Sequence, residues 1–252
     1  MRNLLLLAAL FSPLALAQTL SVESHSLMRL PGNSNVLQLE RLEVADYGTL
    51  LIPANITEVK VGELVLGHEA RIAIVPGSQT FSLLVNHGEL GTGSEIMARG
   101  APGTFEKAAL PGRNLILRLQ SLNAEQLTVD ARGGAGARGY AGLDGGNGQA
   151  PGCVWGQASR GHDGDNGGNG RDGAAGAQVR LELPQGFAAE RIKVNVEGGA
   201  PGPGGEGGKP GKGGESRGCI VYRADGGKSG KPGQAGQPGA AGPAGTLSLQ
   251  RL

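Results

Sequence analysis

The sequence predicts an all-β chain with added polyproline II structure: a β-solenoid-like N-terminal body carrying an intrachain bundle of glycine tracts. Three observations lead there. Short alternating apolar segments recur at intervals of 22 to 24 residues between positions 36 and 102. Glycine stands at every third position in four later tracts. A pair of strand-like segments occurs twice, and the glycine tracts that follow it repeat at an offset of 66 residues.

The extreme N-terminus reads as a processing signal. Arg2 precedes the apolar run LLLLAALF, and Ala15-Leu16-Ala17 is a small-x-small cleavage site before Gln18. No later segment is apolar for long enough to span a bilayer. The expected organisation is therefore a signal peptide at 1–17, a body at 18–114 and a glycine-bundle domain at 115–252. Export by a bacterium, to the cell surface or medium or at least the periplasm, permits a disulfide, and Cys153 and Cys219 are the two cysteines available.

In the body, VLQLERLEVADYGTLLIP, VKVGELVLGHEARIAIVP and LLVNHGELGTGSEIMARGAP align so that Leu39, Val61 and Val85 correspond, as do Val44, Leu66 and Leu90. Period-2 strands between Gly, Asn or Pro turns, repeated at this interval, fit coils that stack to complete one another's cores. A β-sandwich with strands of similar length is the alternative.

From residue 115 the duplication dominates. LRLQSLNAEQLTVDARGG and LELPQGFAAERIKVNVEGG share the order strand, connection, strand, double glycine. The repeats run over about 115–178 and 179–244, with a closing strand at 245–252, and the offset maps Cys153 onto Cys219, Leu181 onto Leu247 and Leu183 onto Leu249. The four tracts are 133–148, 161–176, 199–214 and 227–245. Triplet glycine implies a three-residue turn with a bare edge, suited either to a collagen triple helix or to a bundle within one chain. The first two tracts contain no proline. Collagen-like chains carry roughly 15–20%, and strands interrupt the tracts here, so the intrachain bundle is the stronger reading.

These tracts resemble the glycine-rich polyproline II bundles of snow-flea antifreeze proteins and of phage tail-fibre adhesin tips. They are also similar to the glycine-rich domain of Obg-type GTPases and to bacterial collagen-like exported proteins. The resemblance covers roughly residues 133–245 and implies a single-chain bundle. The adhesins place variable host-binding loops between their glycine helices, which implies a binding role for the corresponding turns here. Ice binding, the antifreeze activity, needs a broad face of small residues. Arg138, Asp144, Asp163, Lys212 and Lys231 stand against it.

Such tracts have no internal hydrogen bonds, so every backbone group must find a neighbour or water. Ordering one residue's backbone costs roughly 1–2 kcal/mol, and each new hydrogen bond returns only about 0.5–1.5 kcal/mol. Strands at the tract bases and a Cys153–Cys219 bridge at the far turns would close that gap. At about 3.1 Å per residue a tract reaches roughly 50 Å.

The two far turns, GQAPGCVWGQASRG and GESRGCIVYRADGG, hold Trp155, Tyr222, Arg160, Arg217 and Arg223, a composition common at binding loops. Val154, Trp155, Ile220 and Tyr222 could instead cover the disulfide as a small core. Asp163, Asp165 and Asp172 are weak calcium candidates, because GGNGRDGAA loosely matches a calcium-binding nonapeptide but occurs once. No cofactor motif, HExxH, GxSxG or Walker loop is present. His25, His68, His87 and His162 fall in unrelated segments, with His68 and His87 in turn-like stretches. A net charge of +1 disfavours nucleic acid. The expected function is thus a non-enzymatic structural or adhesive one, with a cell-surface or matrix glycan or protein as partner. The alternative is a self-assembling extracellular fibre or matrix subunit.

Overall fold

A computed structural model describes residues 18–252; the signal-like segment 1–17 lies outside the described residues. The described chain is essentially all-β, and its strands are dealt alternately into two large sheets. The first sheet holds, in order, β1 (Thr19–Val22), β3 (Val36–Val44), β5 (Glu58–Leu66), β7 (Phe81–Leu90), β9 (Leu115–Ala124), β11 (Gln178–Leu183) and β15 (Thr246–Arg251). The second holds β2 (Leu27–Arg29), β4 (Thr49–Ile52), β6 (Arg71–Ile74), β8 (Ser94–Met97), β10 (Leu127–Asp130) and β12 (Ile192–Asn195). Every pairing within these two sheets is parallel.

Parallel register lines up the residues that alternate inward. Leu39, Val61 and Val85 lie side by side, as do Val44, Leu66 and Leu90. A longer column runs Leu37, Val59, Leu83, Leu117, Leu181 and Leu249. Its four middle members are fully buried, and columns of this kind from the two sheets form one apolar core. Core burial of each such Leu or Val stabilises by about 1.5–3 kcal/mol.

The long strands bend once. Residues 40, 62, 86 and 120 drop out of the ladder while their neighbours pair. On β5 both Val61 and Leu64 point inward, so Gly62 and Glu63 both turn out. At this corner the backbones crowd: a Cβ on Gly62 would lie 2.6 Å from the Glu40 carbonyl oxygen.

A second corner uses left-handed residues at successive levels: His25 (φ 56°), Tyr47 (φ 59°), Glu69 (φ 50°) and Gly93 (φ 73°). Such φ values cost non-glycine residues free energy. The turn returns some of it, because the amides of His25, Tyr47 and Glu69 reach the next level at Asp46, His68 and Thr92. A third corner is tied by Arg113, which is fully buried. Its guanidinium donates to the carbonyls of Ile56 (2.7 Å), Gln79 (2.9 Å) and Val75 (3.2 Å), and sits over the Phe81 ring. Burial without a carboxylate partner pushes its pKa down from the ordinary arginine range.

Three glycine-bearing hairpins leave the second sheet and return to the first. The strand β8 runs into a short excursion at 98–112, which returns as β9. The strand β10 runs into the first tract, and the second tract returns as β11. In the same way β12 leads into the third tract, and the fourth returns as β15. The short excursion pairs with the bundle: Gly100 and Gly103 donate to Arg132 and Ala135, and Gly112 donates to Ala175. GAPG and LPGR therefore act as a truncated version of the later hairpins, and the two sheets run without a break across position 114/115.

The duplication maps Leu181 onto Leu247, but the structure pairs Leu181 with Leu249 and Leu183 with Arg251. A two-residue shift preserves the alternation, so Leu249 still faces inward. Arg251 then stands opposite Leu183 but stays exposed, and its guanidinium turns back onto the carbonyls of Phe187 (2.7 Å) and Pro184 (3.2 Å).

Candidate binding tip

The tip is positioned by lateral hydrogen bonds between tracts, since no helix or strand covers the tracts themselves. Outbound tracts one and three run parallel, with Gly139 donating to Pro203 at 2.9 Å. Returning tracts two and four also run parallel, with Gly167 donating to Gln234 at 2.8 Å. The two layers are joined by antiparallel bonds: Gly168 to Tyr140, Gly205 to Gly168, and Gly236 to Gly205. The same bonds recur at every triplet, which carries the register from base to tip. The approach is so close that a Cβ on Gly205 would collide with the Tyr140 carbonyl.

Side chains add a second ladder. In each Gly-x-y triplet, the y residues Asp163, Asn166, Asn169 and Asp172 of the second tract accept the x amides of Lys231, Gln234, Gln237 and Ala240 in the fourth, at 2.7–2.9 Å. Asp144 and Asn147 accept those of Lys209 and Lys212 in the same way. Where the facing y residue is Arg138 or Ala175, the x residue is Pro203 or Pro243, which has no N–H to satisfy. Glu206, opposite Ala141, and Ala200, opposite Ala135, depart from the pattern.

This ladder accounts for two of the three aspartates considered for calcium. Asp163 accepts from the Lys231 amide and from Arg160, and Asp172 accepts from the Ala240 amide. Asp165 lies at an x position of the same tract. Among the described residues no three His, Cys, Asp or Glu side chains gather closely enough to hold a metal ion.

At the base, Asp130 ends β10 where the first tract begins. It is 1% exposed and receives Arg132 and Arg99. Burial alone would raise its pKa, but the hydrogen bonds from Arg132 and Arg99 outweigh it and hold the carboxyl at about 2. The carboxylate thus anchors the exit of the hairpin.

At the far end Cys153 and Cys219 form a disulfide, with Cα atoms 5.6 Å apart. A two-residue antiparallel ladder between β13 (Arg217–Gly218) and β14 (Arg223–Ala224) shapes the second turn, where the Cys219 amide donates to the Tyr222 carbonyl. The Tyr222 hydroxyl donates to the Cys153 carbonyl at 2.9 Å, tying the second turn to the first. Around this knot the apolar side chains face outward. Trp155 is 88% exposed, Val154 80%, Val221 93% and Ile220 wholly exposed. They do not enclose the disulfide, so the small-core expectation is not met: two short turns offer no second layer to close over them.

Arg160 is held by Asp163 at 2.6 Å, Arg223 donates to Ser216 at 3.0 Å, and Arg217 stands exposed on β13. An open groove of about 430 Å³ lies between the two turns, lined by Pro151, Gly156, Gln157, Tyr222 and Asp225 and by none of the three arginines. The structure thus brings Trp155, Tyr222 and the three arginines to one end of the molecule.

The histidines follow the sequence reading less closely. His87 lies within β7, its Nδ1 3.2 Å from the Ser121 hydroxyl, and not in a turn. His25 and His68 meet across Tyr47, which stacks on His25 at 4.8 Å and meets His68 edge-on at 5.4 Å. The 22-residue interval from His25 to Tyr47 was the available signal. Comparison with protein-family models, with curated proteins and with solved structures gave no match.

Proposed function

We propose that this is an exported, non-enzymatic structural or adhesive protein. Its parallel-stranded body acts as a β-solenoid base, and its glycine tracts act as a polyproline II bundle that holds a binding tip away from that base. The observation that carries this reading is the exposure of Val154, Trp155, Ile220 and Val221 on two turns joined by a disulfide. Contiguous apolar side chains of this size, left in water on a rigid mount, mark an interaction site. Flanking arginines add donors for a polar partner surface. The partner class is a cell-surface or matrix glycan or protein. Among the described residues no helix is long and apolar enough to cross a membrane.

Replacement of 150–158 and 217–224 by Gly-Ser segments that retain both cysteines tests the assignment. Loss of binding to cells or matrix, with the melting temperature maintained, supports the tip as the site. Retained binding moves the site to the body.

A further inference from the structure

We infer that the open end of the body beyond β15 receives the opposite end of a second copy of this chain, so that molecules join head to tail. The sequence alternative of a fibre subunit acquires a specific interface here, and it does not depend on the adhesive role of the tip.

The strand β15 pairs with β11 on one side only, and all of its residues are exposed. Its inward residues Leu247 and Leu249 continue columns that are buried in β11 and β9, yet they remain 50% and 45% exposed. No strand covers them among the described residues. At the other end of the first sheet, β1 covers only the second half of β3, from Arg41 to Val44. Residues 36–39 have no strand beyond them among the described residues, and the inward residue Leu37 is only partly buried there. The Leu37–Leu249 column therefore begins at one open edge and ends at the other.

The two edges match in position, polarity and hydrogen bonding. β15 lies on the same part of the first sheet as residues 36–39, because Leu249 stands in register with Leu181, Leu117, Leu83, Val59 and Leu37. The amides of Thr246 and Leu252 donate to Ala177 and Leu183 of the β11 side. Strand alternation then directs those of Leu247, Leu249 and Arg251 to the open edge. The Glu40 amide reaches Gln18, on the open side of β3, so the Gln38 amide points the same way, while that of Val36 is taken by the Ser34 hydroxyl at 3.3 Å. Adding residues 36–39 of a second copy beside β15 extends the parallel ladder by one level and places Leu37 over Leu249. The second sheet ends in β12 at the first end and in β2 at the other, where Met28, in register with buried Leu50 and Ile72, is left only partly buried, so the same step joins both sheets.

Arg251 does not block this edge, because its side chain is turned onto Pro184 and Phe187 of its own chain. The glycine hairpins leave along the strand direction and the joint forms across it, so the bundle does not occupy the docking end. Unpaired strand edges template such pairing. A contact between two different surfaces repeats without closing unless a rotation intervenes.

Sedimentation velocity on the oxidised, processed protein over a wide concentration range tests the joint. The parent is expected to form a series of oligomers. Leu249→Arg blocks one end and Gln38→Pro blocks the other, since proline removes an edge amide that no partner in the chain uses. Each variant alone should sediment as a monomer. Their equimolar mixture should stop at dimers, because each supplies the end that the other lacks. Thermal melts check that both variants fold; if Leu249→Arg melts early, Leu247→Lys replaces it, and Leu37→Lys replaces a poorly folded Gln38→Pro. A parent that stays monomeric to its solubility limit overturns the inference. So does self-association of Gln38→Pro alone, which would mean that β15 pairs with β15.

Discussion

The side-chain oxygen of Asn169 accepts the backbone amide of Gln237 at 2.9 Å, across 68 residues of chain. It stands in a row with Asp163, Asn166 and Asp172, each serving one amide of the facing tract. Tracts of this type cannot satisfy their own backbones, so polar y residues become part of the register.

An acceptor is all the ladder requires at Asn169. Asn169→Asp should leave stability unchanged within about 0.5 kcal/mol. Asn169→Ala should cost about 1 kcal/mol, the net worth of one hydrogen bond. Urea unfolding of the two variants compares them directly.

Glycine is indispensable where tract backbones touch and dispensable at Gly218 of the tip. Gly205→Ala drives a methyl group into the Tyr140 carbonyl and should cost about 3 kcal/mol or more. Gly218→Ala meets nothing within 4 Å and should change stability by less than about 0.5 kcal/mol. Thermal denaturation should separate them by several degrees.

The Cys153–Cys219 bridge closes a segment of 66 residues. Its removal by Cys153→Ser with Cys219→Ser should lower stability by roughly 2–4 kcal/mol. Limited proteolysis should then cut first at 149–160 and 215–226, because the Tyr222–Cys153 hydrogen bond is left as the tie between the turns.

Acid should loosen the base of the hairpins. The Asp130 carboxyl is held at about 2 against an ordinary 3.8. Its contribution is present above about pH 4 and is lost as pH falls from 4 towards 2, because there the unfolded state binds the proton more readily. The shift corresponds to about 2 kcal/mol. Asp130→Asn should lower stability by about that much at pH 7 and flatten the slope of stability between pH 4 and 2, measured by urea titration at each pH.

Much of the body was legible because parallel register repeats a spacing: Leu39, Val61 and Val85 could be aligned by eye before they were seen to pair. The cysteine pair was legible because the duplication set Cys153 against Cys219. The short hairpin at 98–112 was not, because two glycines three apart, Gly100 and Gly103, are too few to announce a tract. The Asx ladder was hidden for a different reason. Asp163, Asn166, Asn169 and Asp172 look like solubilising or calcium-binding residues until the amides opposite them are known. The outward turn of Trp155 and Ile220 was equally unreadable, since composition alone does not say whether apolar residues beside a disulfide cover it or leave it bare.

Hydrogen exchange at single amides, read by NMR on the oxidised protein, tests the pairing of the glycine tracts most directly. In the fourth tract slow exchange is expected at Gly230, Gly233, Gly236, Gly239 and Gly242, and at Lys231, Gln234, Gln237 and Ala240. Ser229, Ala235, Ala241 and Ala244 should exchange quickly, giving a three-residue rhythm that persists on dilution to the monomer. Uniformly fast exchange along 227–245, or protection that appears only in a trimer, would contradict it.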